Sequence, residues 1–172
     1  MTAVTWSAFG GSDGRSRRKP VLILVSILVA GAMLALYTLQ AATPSAQSPG
    51  GAFGDRYRKE LNSFRSATAA LQEEGQQALG KGVTQVLPVY QHLREATLSA
   101  VDDFAKLKPP SAAKADYKRF IQLLQQQAAT LQVVVTAVKT NQTRQLGASL
   151  QHYAVLVSDW LTIRQRVDAH LR

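Results

Sequence analysis

The sequence predicts an all-α protein: one N-terminal transmembrane helix followed by an up-down-up-down four-helix bundle. Three observations lead there. Residues 21–39 form an apolar run without a charge, apolar residues after residue 55 recur at alternating spacings of four and three, and proline- or glycine-containing breaks cut that pattern into pieces of helix length. The 172 residues, less an N-terminal membrane segment, leave about one small domain. Cysteine is absent, which removes disulfides, thiolate metal sites, thioether-linked haem and cysteine nucleophiles together.

Val21 to Leu39 is interrupted only by Ser26, Gly31, Tyr37 and Thr38. As a helix it is about 28 Å long, close to the hydrocarbon thickness of a bilayer. Arg15, Arg17, Arg18 and Lys19 precede it, and the next Lys or Arg is Arg56, so the positive-inside bias holds the N-terminus in the cytoplasm and sends the rest outside it. A cleaved signal peptide is the rival reading, but its apolar core would be shorter, and Pro49 directly follows the small-residue pattern at Ala46 to Ser48. The expected organisation is therefore a cytoplasmic tail at 1–19, a signal-anchor helix at 20–42, a flexible Pro/Gly linker at 43–54 and an extracytoplasmic helical bundle at 55–172. The linker, TPSAQSPGGAFG, is too rich in glycine, proline and small residues to continue a helix.

The first bundle segment carries Tyr57, Leu61, Phe64, Thr68, Leu71, Gly75 and Ala78 on one stripe, with Asp55 as its expected N-cap and Gly80 and Gly82 as its stop. The second carries Val86, Tyr90, Leu93, Thr97, Ala100, Phe104 and Leu107, is entered near Thr84 and Pro88, and ends at Pro109-Pro110. The third starts from Ser111 as N-cap and carries Tyr117, Ile121, Leu124, Ala128, Leu131, Val135 and Val138 up to a turn at Thr140-Asn141. The fourth carries Leu146, Leu150, Tyr153, Val157, Trp160 or Leu161, Val167 and Leu171. An average spacing of 3.5 is the seam of a helical bundle, and short connections favour antiparallel neighbours. Val133 to Val135 is locally strand-like, yet the helical spacing runs through it and should prevail. The Leu107 to Pro110 turn with its flanking helices, over residues 90–165, loosely resembles exported helical-bundle domains of bacterial envelopes. A proline turn is too general to carry a function across.

The net charge of +9 is not read as a nucleic-acid footprint, because four of the basic residues are the topology signal before the anchor. In the expected topology Arg56, Arg58, Lys59, Lys106, Lys108, Lys114, Lys118 and Arg119 gather at the membrane-facing end, with Arg164, Arg166 and Arg172 beside them. These are candidate contacts for anionic headgroups or for an acidic partner. The competing reading is that turns and termini are simply solvated and charged. Gln122, Gln125 and Gln126, with Gln127 and Gln132, give the third helix a polar, uncharged outer face, a candidate partner face because interface cores are poor in charge.

No catalytic site is expected. His92 and Glu95 form a lone H-x-x-E, whereas bundle di-metal sites need two such pairs with reversed order and two further glutamates. Asp102-Asp103 and Glu73-Glu74 are adjacent in sequence, and adjacent side chains on a helix do not face each other. No nucleophile elbow, Gly-rich phosphate loop or H-E-x-x-H occurs, and no cofactor or metal is expected. Asn141-Gln142-Thr143 matches a glycosylation sequon, a three-position pattern with meaning only in a eukaryotic secretory pathway. The expectation is a non-catalytic, single-pass accessory or scaffolding subunit whose bundle packs on a larger membrane or envelope complex. The alternative is an extracytoplasmic ligand-binding or sensing domain. No second apolar run follows residue 39, so sensing would act through a partner.

Overall fold

The computed structural model describes residues 51–78 and 83–172, and it is all-helical there. Four long helices follow one another: α1 (Gly51–Ala78), α2 (Val83–Ala105), α3 (Lys114–Lys139) and α4 (Thr143–Ala169), with a single 3-10 turn (Ser111–Ala113) before α3. The anchor at 21–39, the basic residues Arg15, Arg17, Arg18 and Lys19, and the linker up to residue 50 lie outside the described residues. Among the described residues no helix is long and apolar enough to cross a membrane.

Successive helices pack against each other, α1 on α2, α2 on α3 and α3 on α4. Their ends meet as antiparallel order requires. Tyr57, two turns into α1, meets the tilted ring of Phe104 at the end of α2 and the edge-on ring of Tyr117 at the start of α3. His170, just past α4, reaches Asp116 in the first turn of α3. This is a four-helix bundle, and consecutive short connections account for it.

The stripes go inside because each is a continuous apolar ridge that water would otherwise have to solvate. Burying one such side chain stabilises the fold by roughly 1.5–3 kcal/mol. Every aromatic residue of the four stripes is buried, and most of them gather at one end of the bundle. Phe104 and Phe120 meet edge to face at 4.9 Å, Phe120 contacts Trp160 at 5.2 Å, and Phe64 meets Trp160 at 6.0 Å. Such pairs add about 0.5–1.5 kcal/mol beyond their area. Thr68 and Thr97 occupy stripe positions at no polar cost, because each hydroxyl donates to the carbonyl four residues earlier, at 3.0 Å to Phe64 and 2.7 Å to Leu93.

Several expectations are corrected. α1 begins at Gly51, so residues 51–54, read as the end of the linker, are helical, and Asp55 lies inside the helix instead of capping it. Phe53 explains the extension: its ring packs against Tyr57 and Tyr117, and that contact draws the chain into helix four residues early. Ser111 does not cap α3. Pro110 precedes the 3-10 turn, whose Ala113 amide bonds the Pro110 carbonyl, and α3 proper starts at Lys114. Gln72 is buried in α1 and Leu71 only half-buried. α3 leaves the stripe residue Ile121 half-buried but buries Phe120, Leu123, Val134 and Ala137 besides the rest of its stripe, since it packs against both α2 and α4 and needs two apolar ridges. Val133 to Val135 is helical as expected, with Val134 and Val135 inside and Val133 exposed.

Candidate functional site

The basic residues singled out in the sequence are brought together by the topology, at the start of α1, the end of α2 and the start of α3. Arg56, Lys59, Lys106, Lys108, Lys114, Lys118 and Arg119 are exposed, and Arg58 is half-buried. Arg58 reaches Asp55 at 3.5 Å and Lys106 reaches Asp103 at 2.8 Å. Asp116 is held by His170 at 3.1 Å and Asp168 by Arg164 at 3.4 Å. The acids of this end are thus largely engaged within it, while Arg56, Lys59, Lys108, Lys114, Lys118 and Arg119 make no ion pair among the described residues.

Gln122, Gln125 and Gln126 are exposed along the outside of α3, as is Gln132. Gln127 is not part of that face. It is buried at 3 % exposure and donates its amide N–H to the carbonyl of Leu156 on α4, at 3.2 Å. Helix geometry is the reason: at 100° per residue Gln127 falls between Leu123, Leu124 and Leu131, inside the wide apolar arc of α3.

Arg164 is the residue that sequence reasoning placed wrongly. It was counted with the surface charges, yet it is 7 % exposed. The missed signal is its position, because 157, 160, 164, 167 and 171 continue the four-and-three spacing of α4 straight through it. Its Nε donates to Asp168 one turn on, at 3.4 Å. Across the seam on α1, Tyr57 and Arg65 face the same pair. Burial, then the Asp168 carboxylate, holds the Tyr57 phenol well above its ordinary pKa, with Arg164 acting the other way. Desolvation and then the charge of Arg164 lower the pKa of Arg65, while Asp168 opposes that shift. Arg164 and Asp168 thus lie close enough to Tyr57 and Arg65 on α1 to act on both electrostatically.

Of the histidines, His92 faces Glu74 on α1 at 3.7 Å rather than forming a site with Glu95. His152 is exposed on α4. Among the described residues no group of three His, Asp or Glu side chains lies close enough to hold a metal ion. A cleft of about 90 Å³ separates α1 from α2, with Ser63, Ala67, Ala96 and Ser99 on its walls and Glu60 and Asp103 at its rim. The Lys106 ammonium already occupies the Asp103 side of that rim. Asn141, the sequon residue, is exposed at the turn between α3 and α4 with φ of 55°.

The fold and these features define a helical bundle with one charged end, one uncharged helix face and a buried arginine paired with Asp168. No family model matches the chain, and neither a curated protein nor a solved structure does.

Proposed function

We infer that the chain is a membrane-anchored, non-catalytic accessory or scaffolding subunit, with the bundle held outside the cytoplasm by the 21–39 segment and packed on a larger membrane or envelope complex. One observation carries this reading. From Phe120 to Val138 no Asp, Glu, Lys or Arg occurs, although that stretch includes the exposed Gln122, Gln125, Gln126, Gln132 and Val133. An uncharged helix face on a strongly basic chain can enter an interface without desolvating a charge, a cost that ordinary solvated helix surfaces carry. The cluster of exposed Lys and Arg at the other feature of the bundle, its charged end, fits anionic headgroups or an acidic neighbour, each cation near an anionic leaflet contributing about 1 kcal/mol.

Mild-detergent extraction, affinity purification of the full chain and mass spectrometry test this. A multi-subunit assembly in fixed stoichiometry is expected, and it should be lost in a Gln122→Glu/Gln126→Lys variant that keeps its helical content. A lone monomer, or an assembly indifferent to that variant, would overturn the reading. For the charged end, the full chain in neutral nanodiscs should bind added anionic vesicles in preference to neutral ones. Equal retention on both would remove the headgroup contact.

A further inference from the structure

Charge is divided unequally along the bundle. From Asp55 to Lys108 there are fifteen Asp, Glu, Lys and Arg residues, whereas from Phe120 to Ser158 there are two, Lys139 and Arg144, both beside the turn between α3 and α4. The uncharged stretch therefore takes in most of α3 and half of α4. The two helices are joined in the middle by the bond from Gln127 to the Leu156 carbonyl. Gln126 and Val155, one residue earlier on each helix and both exposed, flank that bond on the outside. Gln122 and Val133 continue the exposed line along α3, and Ala148 and His152 continue it along α4, at helical spacings of three, four and seven. Of the three large apolar side chains exposed among the described residues, Val133 and Val155 both lie here. Lys139 and Arg144 bound the face at the turn, and Arg119 and Asp159 bound it toward the other end.

The charge pattern favours one occupant. The chain carries +9, so two copies repel wherever their basic surfaces meet, and on this face they can approach without opposing like charges. An acidic protein or an anionic membrane would gain contact at the cationic end and nothing here. A glutamine amide both donates and accepts, so a glutamine line can bond its own copy, which a line of lysine or of glutamate cannot. The face has the extent for such a pair. Nineteen residues of α3, Phe120 to Val138, span about 28 Å, and two helices side by side are about 20 Å wide. Two copies would cover about 1,000 Å² in all, the lower end for a specific interface.

We propose that the α3/α4 face is the contact between two copies of this chain, each presenting the same surface to the other. A two-fold axis parallel to the helices keeps both starts of α1 at one end, as two anchored copies in one membrane require, and sets residues near the axis beside their own counterparts. This rests on the reading of α3 as a partner face and names a second copy as what covers it, with the face widened to α4.

The purified full chain, alone in neutral detergent micelles, is weighed by light scattering with the detergent subtracted. The protein mass should rise from 18.7 kDa toward twice that between about 1 and 100 μM chain. Val155→Lys puts like charges into the contact at a side chain 53 % exposed on the single bundle, so it should keep wild-type helical content and weaken pairing about tenfold or more. The chain has no cysteine, so Gln122→Cys, Gln126→Cys and Val155→Cys each introduce a single thiol. Mild oxidation should link copies through at least one of the three faster than through Glu95→Cys, on the exposed surface of α2. A monomer at every concentration, a dimer indifferent to Val155→Lys, or linking no faster than at Glu95→Cys would overturn the proposal. The scaffold reading is judged separately, by which other proteins co-purify. A purified chain that stays monomeric yet leaves the membrane in a fixed assembly removes the second copy and keeps the scaffold, whereas a dimer that brings no other subunit does the reverse.

Discussion

The buried amide of Gln127 donates to the main-chain carbonyl of Leu156 at 3.2 Å, joining the middle of α3 to the middle of α4. The bond sets the register of the two helices, because a shift of one residue along either would leave the amide facing hydrocarbon. Gln127→Leu removes the buried amide from a site that is already apolar, while the Leu156 carbonyl, inside α4, keeps the helical amide four residues on as its donor, and should change stability by less than about 1.5 kcal/mol. Gln127→Glu should cost about 2–4 kcal/mol at neutral pH, since a carboxylate would face a carbonyl. In that variant the folded-state pKa of Glu lies above its unfolded value near 4.3. Its stability should therefore approach wild type in acid and fall as pH rises through the raised value, which denaturant titrations across the acid range would reveal. A variant with equal deficits in acid and at neutrality would contradict this account.

Alkaline unfolding should begin sharply. Burial raises the pKa of Tyr57, Tyr90, Tyr117 and Tyr153, with smaller contributions from Asp168 at Tyr57, from Tyr153 at Tyr90 and from Glu60 at Tyr117. Because the folded values lie above the unfolded value of about 10, the unfolded chain releases these protons first. Stability is then fully kept below about pH 10 and lost as pH climbs beyond it, by about 1.4 kcal/mol per pH unit for each phenol still protonated in the fold. Thermal midpoints should be flat up to that pH with respect to tyrosine and drop steeply above it, with tyrosinate absorbance appearing together with loss of helix. Tyrosinate appearing well before unfolding would show the phenols to be solvated.

The hydroxyl of Tyr117 donates to the Phe104 carbonyl at 2.7 Å, the carbonyl that also accepts the Leu107 amide at 3.0 Å in the last turn of α2. This links the end of α2 to the start of α3 across the Pro109-Pro110 connection. Tyr117→Phe keeps the ring in its aromatic contacts and should cost about 0.5–1.5 kcal/mol. Hydrogen exchange should report the change first, at the Leu107 amide and in the last turn of α2.

Arg164 and Asp168 should respond unequally to removal. Asp168→Asn strips the carboxylate that the buried Arg164 guanidinium bonds and should destabilise the bundle by about 2–4 kcal/mol. Arg164→Met fills the stripe position with an apolar side chain, and should be close to neutral or stabilising. Equilibrium denaturation of both variants checks the order, and a more damaging Arg164→Met would reverse the argument.

Asn141 ends α3 in the left-handed region, where its amide bonds the Val138 carbonyl at 3.3 Å and the Gln142 amide bonds Ala137 at 2.9 Å. That pair of bonds is the Schellman arrangement, which glycine adopts most easily and asparagine next. Asn141→Gly should be neutral or slightly stabilising, whereas Asn141→Val should cost about 1–2 kcal/mol. Thermal midpoints of the two variants should fall on opposite sides of, or unequally below, the wild-type value.

Much of the fold was legible in the four-and-three spacing, and its failures have physical causes. Tyr57, Phe64, Tyr90, Phe104, Tyr117, Tyr153 and Trp160 are all inside as their positions implied, and Pro109-Pro110 separates α2 from α3. Ser111 has the chemistry of an N-cap, but the constraint of two prolines leads first into a 3-10 turn. Gly51 to Gly54 read as linker by composition, and only the long-range contact of Phe53 with Tyr117 makes them helix. The candidate partner face was legible because it needs only composition and period.

The sequence by itself determined four helical segments after residue 55 and one apolar line along each, because hydrogen bonding and solvation along a single helix depend only on near neighbours. Tertiary structure decided how wide each buried arc is and what lies opposite it. α3, between two neighbours, buries Gln127 and a second ridge. Arg164, charged but on the stripe, is buried along with Trp160 and Val167 and keeps an ion pair to Asp168. Those outcomes depend on which helix stands across the seam, a quantity that no window along the chain contains.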